Sequence, residues 1–406
     1  MGRCGYAAHD DNRREPGLSR RFLGYGRQSV DDADIAAVVG VLKGDFLTQG
    51  PAVERFEAAL AERVGARHAV AVANGTAALH IACLAAGLGP GDRALVPTLT
   101  FVATANAPAY CGASPCLADI DVDSRALAAE TVANFVARQP ETKAVLPVHF
   151  AGLASAMPEI RTAAQHRIVI EDACHALGGT YANGAPVGSC AHSDMAAFSF
   201  HPVKPITTGE GGAVTTNDAE LARRLRLFRN HGIERDPAHF TGKETAAPWL
   251  YEQQVLGFNY RMTDLQAALG VAQLGRLDHF RSRRKEIADY YDGRFISLDN
   301  LTVPQSRQDQ RARSGLHLYQ VDIDFDGLGR SRTEVMSALK SVGVGTQVHY
   351  IPVHRQPFHK DLGSYRDDAF PHAERHYAQT LSIPLFPSMT DEDADYVATQ
   401  VIDQVK

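Results

Sequence analysis

Short runs of hydrophobic residues recur through the first two-thirds of the chain and predict β-strands. The runs are AVAVA (69–73), RALVP (93–97), SPCLA (114–118), KAVLPV (143–148), RIVIE (167–171), MAAFSF (195–200) and GAVTT (212–216). Segments of helix length separate many of them, at 76–88, 101–111, 129–138 and 155–166. Strands that are joined through helices predict an α/β fold, with a mainly parallel sheet that is covered on both faces.

The pattern changes after residue 260. Residues 264–295 predict one long helix with an apolar face and a basic, solvated face that carries the run RSRRK (281–285). Further strands are predicted at 317–325 and 344–353, and further helices at 331–341 and 390–404. This second part of the chain has the pattern of a smaller α+β domain.

These patterns predict a large domain over residues 22–260 and a small C-terminal domain over residues 261–406, which begins with the linking helix. Residues 1–21 are polar and rich in arginine and aspartate, and this composition predicts a disordered N-terminal extension. The run SRRFL (19–23) is similar to a twin-arginine signal. No apolar stretch follows it, so we do not expect export.

Composition and charge narrow the class of protein. With 45% hydrophobic and 22% charged residues among 406, the chain is typical of soluble globular proteins. Its formal net charge of -6 argues against a nucleic acid or an anionic membrane as partner. Asn-Gly interrupts the longest weakly charged run, 69–89, so no membrane helix is expected. Six cysteines without paired or metal-type spacing favour reduced thiols and a cytoplasmic location.

Three chemically distinctive features follow predicted strands. Asn74-Gly75-Thr76 follows the first strand, Asp172 follows the fifth, and Lys204 follows the sixth. Ligands of open α/β sheets bind beyond the carboxyl ends of the strands. We therefore expect these residues to lie together at one edge of the sheet.

Each feature alone has an ordinary structural explanation. The Asn-Gly-Thr turn presents free N–H groups at a positive helix end, which suits a phosphate, although a plain N-cap has the same residues. A buried carboxylate at Asp172 needs a partner, which is either a structural arginine or the protonated ring nitrogen of a heteroaromatic cofactor. His175 would pack beside that ring or support the carboxylate.

Lys204 decides between these explanations. The stretch 195–214 surrounds it with small, apolar and hydroxyl side chains, and the other ionisable groups there are His201 and Glu210. A desolvated lysine has a lowered pKa and is a nucleophile toward aldehydes. Phosphate-binding turn, buried aspartate and reactive lysine are together the three anchors of pyridoxal 5'-phosphate. We predict that Lys204 forms the internal aldimine with this cofactor.

Two neighbouring side chains complete the predicted cofactor site. Ser199 stands on the strand just before the lysine and is placed to join the phosphate shell. Phe101 follows the second strand and is expected to lie flat against the cofactor ring.

Other functions fit the residues less well. GLGPGD (87–92) lacks the G-x-G-x-x-G spacing of a dinucleotide site and precedes a strand. In HYIPVH (349–354) a proline separates the two histidines, and no zinc-type partner accompanies them, so we predict no metal. A regulatory protein that has kept the fold but lost turnover is disfavoured because Asp172 and Lys204 are intact.

The chain resembles the DegT/DnrJ/StrS family of sugar-nucleotide aminotransferases over essentially residues 22–406. The motifs that carry the resemblance are GDFLTQGPAVERFE (44–57), NGTAALH (74–80), PTLTFVATANA (97–107), EDACHALG (171–178), FSFHPVKPITTGEGGAV (198–214), GFNYRMTDLQAALG (257–270) and HYIPVH (349–354). The resemblance implies the aspartate-aminotransferase-like fold type I of pyridoxal-phosphate enzymes, with a seven-stranded sheet in the large domain.

The resemblance also implies roles for individual residues. Lys204 is expected to be the Schiff-base lysine and proton shuttle, with Asp172 as the partner of the pyridinium nitrogen. The remaining implied roles are phosphate binding by Thr76, Ala77 (through its N–H) and Ser199, ring contact by His175, phosphate contact in the neighbouring subunit of a homodimer by Asn259, and approach to the sugar by Thr48 and His349.

Two segments, 25–51 and 200–214, resemble the transaminases of pseudaminic acid biosynthesis. This implies transfer of the amino group of L-glutamate to the C4 ketone of a UDP-linked 4-keto-6-deoxy-2-acetamido sugar. Amination of another ketosugar at C4 or C3 stays open. Related sugar dehydratases have histidine in place of the lysine, and Lys204 argues against that chemistry.

Overall fold

The computed structural model of the chain describes residues 21–242, 247–363, 365–366 and 368–406. The helices are α1 (Asp32–Leu42), α2 (Pro51–Val64), α3 (Gly75–Ala85), α4 (Val102–Tyr110), α5 (Ala129–Arg138), α6 (Met157–Ala164), α7 (Ala219–Arg229), α8 (Asp264–Gly275), α9 (Leu277–Phe295), α10 (Gln308–Arg313), α11 (Arg332–Ser341), α12 (Pro357–Leu362), α13 (Pro371–Gln379) and α14 (Asp391–Val405). The predicted disordered extension lies, except for Arg21, outside the described residues.

The strands form a large sheet and two small ones. They are β1 (His68–Val72), β2 (Arg93–Pro97), β3 (Ser114–Ala118), β4 (Thr142–Val145), β5 (Ile168–Asp172), β6 (Met195–Ser199), β7 (Gly212–Thr216), β8 (Ile233–Glu234), β9 (Glu252–Gln253), β10 (Leu301–Thr302), β11 (Tyr319–Ile323) and β12 (Thr380–Ile383). Every strand predicted before residue 260 is present. The largest difference is at β4, which ends at Val145 because Pro147 has no N–H to donate to a ladder.

The large sheet has seven strands in the order β1-β7-β6-β5-β4-β2-β3. Strand β7 is antiparallel to both of its neighbours, and the other pairs are parallel. The prediction of an α/β fold with a seven-stranded, mainly parallel sheet is therefore confirmed. Strands β1 and β6 run in the same direction because both are antiparallel to β7, and β6 continues into the parallel pairs, so the carboxyl ends of β1, β2, β5 and β6 lie at the same edge.

Apolar side chains of the sheet alternate between two cores. Ala69 and Ala71 of β1 belong to one core with Phe198, whereas Val70 and Val72 belong to the core on the opposite face. This alternation follows from the two-residue period of a strand. Both faces of the sheet are thus buried beneath helices.

A third core lies around the antiparallel sheet β10-β11-β12. Helix α9 connects it to the large sheet, because Leu277 and Phe280 pack in the first core while Ile287 and Tyr291 pack in the third. A domain boundary near residue 260 stays a prediction. Among the described residues, no helix is long and apolar enough to cross a membrane.

The long helix predicted for residues 264–295 is two helices. The chain leaves helical geometry at Arg276, where φ is -102° and ψ is 0°. The guanidinium of Arg276 lies 2.9 Å from the Asp31 carboxylate and 2.8 Å from that of Asp34. Gly275, a poor helix former, precedes the break.

The strand predicted for residues 344–353 is also wrong. Only isolated bridges occur there, from Val344 to Leu23 and from Gln347 to Ser382. The carbonyl of His349 accepts hydrogen bonds from the side chains of Gln320 and His376 rather than from the backbone of a strand. The segment instead forms part of the wall of the main cavity.

Candidate active site

The carboxyl ends of the parallel strands open into a cavity of about 880 Å³. Two sequence-predicted residues do not line it: Thr48 and Asn259 are exposed and bridge to Thr263 and Asn230 through their backbones. The predicted residues that do line it are Thr76, Ala77, Phe101, Asp172, His175, Ser199, Lys204 and His349.

The helix α3 begins at the cavity with free backbone donors. Asn74 is its N-cap, and the Asn74 carbonyl side-chain oxygen accepts a hydrogen bond of 2.8 Å from the Ala77 N–H. The N–H groups of Gly75 and Thr76 precede the first intrahelical bond and have no partner among the described residues. The helix start thus offers two N–H groups at its positive end, and the Ala77 N–H is already satisfied.

Ser199 lies against the start of α3. A Cβ atom placed on Gly75 would lie 2.7 Å from the Ser199 Cβ and 3.1 Å from its Oγ. Only glycine allows this close approach of helix and strand. The Ser199 hydroxyl, the Thr76 side chain and the two free N–H groups therefore form a cradle that suits a phosphate.

Asp172 is held in place through both of its carboxylate oxygens. Its Oδ2 accepts a hydrogen bond of 2.6 Å from the Thr104 hydroxyl, and its Oδ1 accepts one of 3.1 Å from the Cys174 N–H. Thr104 is in turn 2.7 Å from the hydroxyl of Thr100. Among the described residues no arginine forms an ion pair with Asp172, and the residue lines the cavity.

Lys204 stands on the loop after β6 and directs its amine into the cavity. Burial lowers the pKa of the Lys204 amine below its usual 10.5, against the opposing effects of Cys174 and Asp172. A lysine in such surroundings spends more time as the free amine, the form that attacks carbonyl carbon.

A group of buried rings surrounds the lysine. The His317 Nε2 lies 3.5 Å from the Lys204 Nζ, and the rings of His317 and His175 pack with centroids 4.4 Å apart. The His175 Nε2 is 3.0 Å from the hydroxyl of Tyr350. Burial, followed by the charge of Lys204, lowers the pKa of both histidines well below 6.5, so both imidazoles are neutral.

The prediction that the basic run 281–285 is solvated is wrong for one residue. Arg284 is 2% exposed, and its guanidinium donates to the carbonyls of Lys204 and Pro205 at 3.4 and 3.3 Å. Burial lowers the pKa of Arg284 to about 10. Helix α9 therefore holds the loop that carries the lysine.

His349 forms part of the wall opposite the sheet. Its Nδ1 lies 2.8 Å from the Ser382 hydroxyl, and burial lowers the pKa of His349 to about 3. Its carbonyl accepts hydrogen bonds from Gln320 at 3.2 Å and from His376 at 3.0 Å. Neutral, buried side chains therefore hold this wall of the cavity in place.

This arrangement fits pyridoxal 5'-phosphate. The cradle at α3 matches the phosphate, the oriented carboxylate of Asp172 matches a protonated ring nitrogen, and the amine of Lys204 matches the aldehyde. The buried Nδ1 of His175 has no partner among the described residues, and His175 lines the same cavity. The fold and the site together define a pyridoxal-phosphate enzyme.

Comparison with known proteins identifies the family. The model of the DegT/DnrJ/EryC1/StrS aminotransferase family matches residues 28–402. The chain belongs to this family, and it is a pyridoxal-phosphate-dependent aminotransferase.

Relatives match the chain over nearly its whole length. The spore coat polysaccharide biosynthesis protein SpsC of Bacillus subtilis (strain 168) is 42% identical over 388 residues, 95% of this chain and 97% of SpsC. The structure of Helicobacter pylori PseC, an aminotransferase involved in the biosynthesis of pseudoaminic acid, matches with a TM-score of 0.85 and 28% identity, covering 95% of this chain and 99% of PseC. The PMP-form of the putative sugar aminotransferase Spr1654 from Streptococcus pneumoniae matches with a TM-score of 0.84 and 26% identity, covering 95% of this chain and 98% of Spr1654.

Sequence reasoning missed four residues of the site: Thr104, Arg284, His317 and Tyr350. A signal existed for Arg284, because it shares the helical stripe of Phe280, Ile287 and Tyr291, whose spacing marks the buried face.

Proposed function

We propose that the enzyme transfers the amino group of L-glutamate to the C4 ketone of a UDP-linked 4-keto-6-deoxy-2-acetamido sugar. The observation that carries the proposal is the convergence of Lys204, Asp172 and the start of α3 on one cavity. Its volume of about 880 Å³ leaves room beside a cofactor for part of a sugar nucleotide.

The residues divide the chemistry between them. When bound, pyridoxal phosphate supplies the aldehyde that carries the amino group and the ring that withdraws electrons. Asp172, oriented by Thr104, keeps the ring nitrogen protonated. Lys204 moves the proton between the Cα of the amino donor and the cofactor, because burial lowers the pKa of its amine and so favours the free amine, the form that accepts a proton. Thr76 and Ser199, with the Gly75 and Thr76 N–H groups, hold the phosphate.

Likeness to the Helicobacter pylori PseC structure supports the sugar named here. Polar side chains that line the outer cavity and are suited to a sugar are Gln347, His349 and Gln356. The higher identity to SpsC, a spore coat polysaccharide protein, favours a second candidate. In that case the acceptor is a different nucleotide-linked ketosugar that is destined for a surface polysaccharide.

We further propose a homodimer in which Asn259 reaches the phosphate site of the neighbouring subunit. The loop 247–263 that carries Asn259 leaves Trp249 77% and Leu256 82% exposed, as expected for an uncovered interface. Lys204 is the only lysine or arginine among the described residues that line the cavity. Cations for the carboxylates of glutamate and for the diphosphate of the sugar nucleotide would then come from the second subunit.

The substrate proposal is tested with the holoenzyme. L-Glutamate should convert the bound cofactor to its pyridoxamine form, with loss of the visible absorbance. Candidate ketosugar nucleotides are then added one at a time. Return of the absorbance with the UDP-linked 2-acetamido-4-keto-6-deoxy sugar of L-arabino configuration supports the first candidate, and return only with another ketosugar supports the second. If glutamate causes no loss of absorbance, the amino donor or the activity is wrong.

The dimer proposal is tested by mixing two inactive variants. A hybrid of Lys204→Ala and Asn259→Ala subunits combines one intact site with one doubly defective site. About half of the wild-type activity should return in dimers isolated with two affinity tags. Isolated hybrids without activity would contradict a shared site.

A further inference from the structure

We propose that His317 is a positioning residue for Lys204. Its imidazole Nε2 accepts a hydrogen bond from the lysine amine whenever that amine is not bonded to the cofactor. The inference rests on the proposed function, because only a transaminating lysine is released and recaptured in each half-reaction. While it is released, the Lys204 amine needs a hydrogen-bond partner inside the buried site.

The geometry puts the acceptor where the amine needs it. The His317 Nε2 lies 3.5 Å from the Lys204 Nζ, and His317 is 4% exposed. The backbone of His317 is fixed by a hydrogen bond of 3.1 Å from its N–H to the carbonyl of Ala151. The ring is fixed by its contact with His175. The imidazole therefore cannot turn away from the lysine without disturbing the core.

Asp172 and His175 have hydrogen-bond partners of their own near the lysine. The oxygens of Asp172 accept from Thr104 and from the Cys174 N–H, and the Nε2 of His175 faces the hydroxyl of Tyr350. His317 has no partner at Nδ1 among the described residues. Among the described residues, it is the His317 Nε2 that lies within hydrogen-bond distance of the Lys204 amine.

The protonation state of His317 agrees with an acceptor role. A neutral imidazole has one donor and one acceptor nitrogen. Because Nε2 faces the N–H groups of the lysine, the proton belongs on Nδ1. The ionisable groups that face the lysine or act on it electrostatically are Asp172, Cys174, His175, His317 and His349. Arg284 contacts the backbone carbonyl of Lys204.

The His317 Nε2 stabilises the ammonium form of Lys204 more than its neutral amine form, because hydrogen bonds to ionised groups are stronger than those between neutral groups. Removing it should make the pKa of Lys204 fall further. Two substitutions separate this effect from packing. His317→Phe keeps the ring contact with His175 but removes the hydrogen-bond acceptor. His317→Gln keeps an acceptor oxygen on a side chain of different shape.

The first experiment labels the apo-protein competitively with acetic anhydride and measures acetylation of Lys204 by mass spectrometry. At a pH below the pKa of the lysine, His317→Phe should label roughly three- to tenfold faster than wild type, from the loss of one bond to an ionised group. His317→Gln should stay near wild type. The matched control is His359→Leu, a buried histidine that contacts Asn106 and does not line the cavity.

A second measurement keeps the test independent of how the variants fold. The ¹⁵N spectrum of wild-type apo-protein, with the His317 signals assigned by comparison with His317→Gln, should show a proton on Nδ1 and none on Nε2. A proton on Nε2 would overturn the proposal. Labelling of His317→Phe equal to that of wild type, or identical changes in the Phe and Gln variants, would overturn it as well.

The outcome is separable from that of the proposed function. If glutamate fails to convert wild-type holoenzyme, the transaminase proposal falls, whereas the apo-protein labelling still reports on the lysine–histidine contact. If glutamate converts wild type, His317→Phe should slow that conversion several-fold and His317→Gln should restore most of the rate.

Discussion

Asp172 is a carboxylate whose direction depends on one threonine. Thr104 donates to its Oδ2 at 2.6 Å in a buried position. Thr104→Val should weaken pyridoxal phosphate binding about tenfold, because a bond to a buried carboxylate contributes about 1.5 kcal/mol or more. Thr104→Ser keeps the hydroxyl and should bind nearly as wild type. Titration of apo-enzyme followed by absorbance measures both, and equal affinities for Val and Ser would refute the role of the hydroxyl.

Gly75 leaves no room for a side chain beside Ser199. Gly75→Ala places a Cβ 2.7 Å from the Ser199 Cβ, so the start of α3 must move and the phosphate cradle opens. We expect a loss of cofactor affinity of tenfold or more, from about 1.4 kcal/mol per factor of ten. Gly40→Ala is the control, since nothing lies within 4 Å of that position on α1. If both variants bind the cofactor equally, the cradle does not depend on this contact.

Position at the carboxyl end of a strand was enough to predict that Asp172 and Lys204 lie together at one cavity, because ligands of open α/β sheets bind at that edge. The partners of these residues were not predictable in the same way. Thr104 is 68 residues from Asp172 in the chain, and His317 is 113 residues from Lys204. Such contacts depend on how helices and the small domain pack, which no local pattern records.

At the scale of elements, helix α9 holds the loop that carries Lys204 through a buried guanidinium. Arg284 bonds to two carbonyls and has no carboxylate partner among the described residues. Arg284→Met loses two hydrogen bonds from a charged group, worth about 1.5 kcal/mol each, but relieves a desolvation cost of several kcal/mol. We therefore expect unchanged or slightly raised stability, with several-fold slower uptake of the cofactor by Lys204.

Two measurements on Arg284→Met check this balance. Urea unfolding gives the stability, and stopped-flow absorbance after addition of pyridoxal phosphate gives the uptake rate. Lys285→Met on the same helix is the control, because its exposed ion pair with Asp289 contributes at most about 1 kcal/mol. A loss of stability above about 3 kcal/mol would show that the guanidinium is mainly structural.

The elements that sequence patterns predicted least well are those set by tertiary contacts. The break at Arg276 follows from its ion pairs with Asp31 and Asp34, which lie more than two hundred residues earlier. The absent strand at 344–353 has strand-like residues, but the carbonyl of His349 in this segment accepts hydrogen bonds from the side chains of Gln320 and His376. Tertiary contacts of this kind override the local secondary-structure propensity of the residues.

At the scale of the whole molecule, buried neutral histidines make stability depend on pH. Burial lowers the pKa of His349 and of His376 to about 3, and the pKa values of His175 and His317 fall well below 6.5. In the unfolded chain these groups take up protons below about pH 6.5. The unfolded state then binds more protons, so stability is complete above that pH and is lost as the pH falls.

We expect the free energy of unfolding of apo-protein to fall by about 1 kcal/mol per such histidine between about pH 7.5 and about pH 5.5. Carboxylates titrate mostly below this range and contribute little. Urea titrations at each pH measure the slope, and His376→Asn should make it shallower. A stability that does not change over this interval would contradict neutral burial of these rings.

The architecture of the whole molecule was accessible from the sequence, since alternating strands and helices predict a covered parallel sheet. The family also followed from motifs spread over the chain. Substrate identity was not accessible in this way. The proposed subunit interface was not accessible either, because the exposure of Trp249 and Leu256 in segment 247–263 follows from the tertiary structure and not from a local pattern.

The central claim is that Lys204 is the residue that bonds to pyridoxal phosphate and is released by the amino donor. Sodium borohydride reduction of the holoenzyme, followed by digestion and mass spectrometry, tests this claim most directly. We predict a phosphopyridoxyl group on Lys204, and its loss when the holoenzyme is incubated with L-glutamate before reduction. A label on another lysine, or no label on any lysine, would contradict the account.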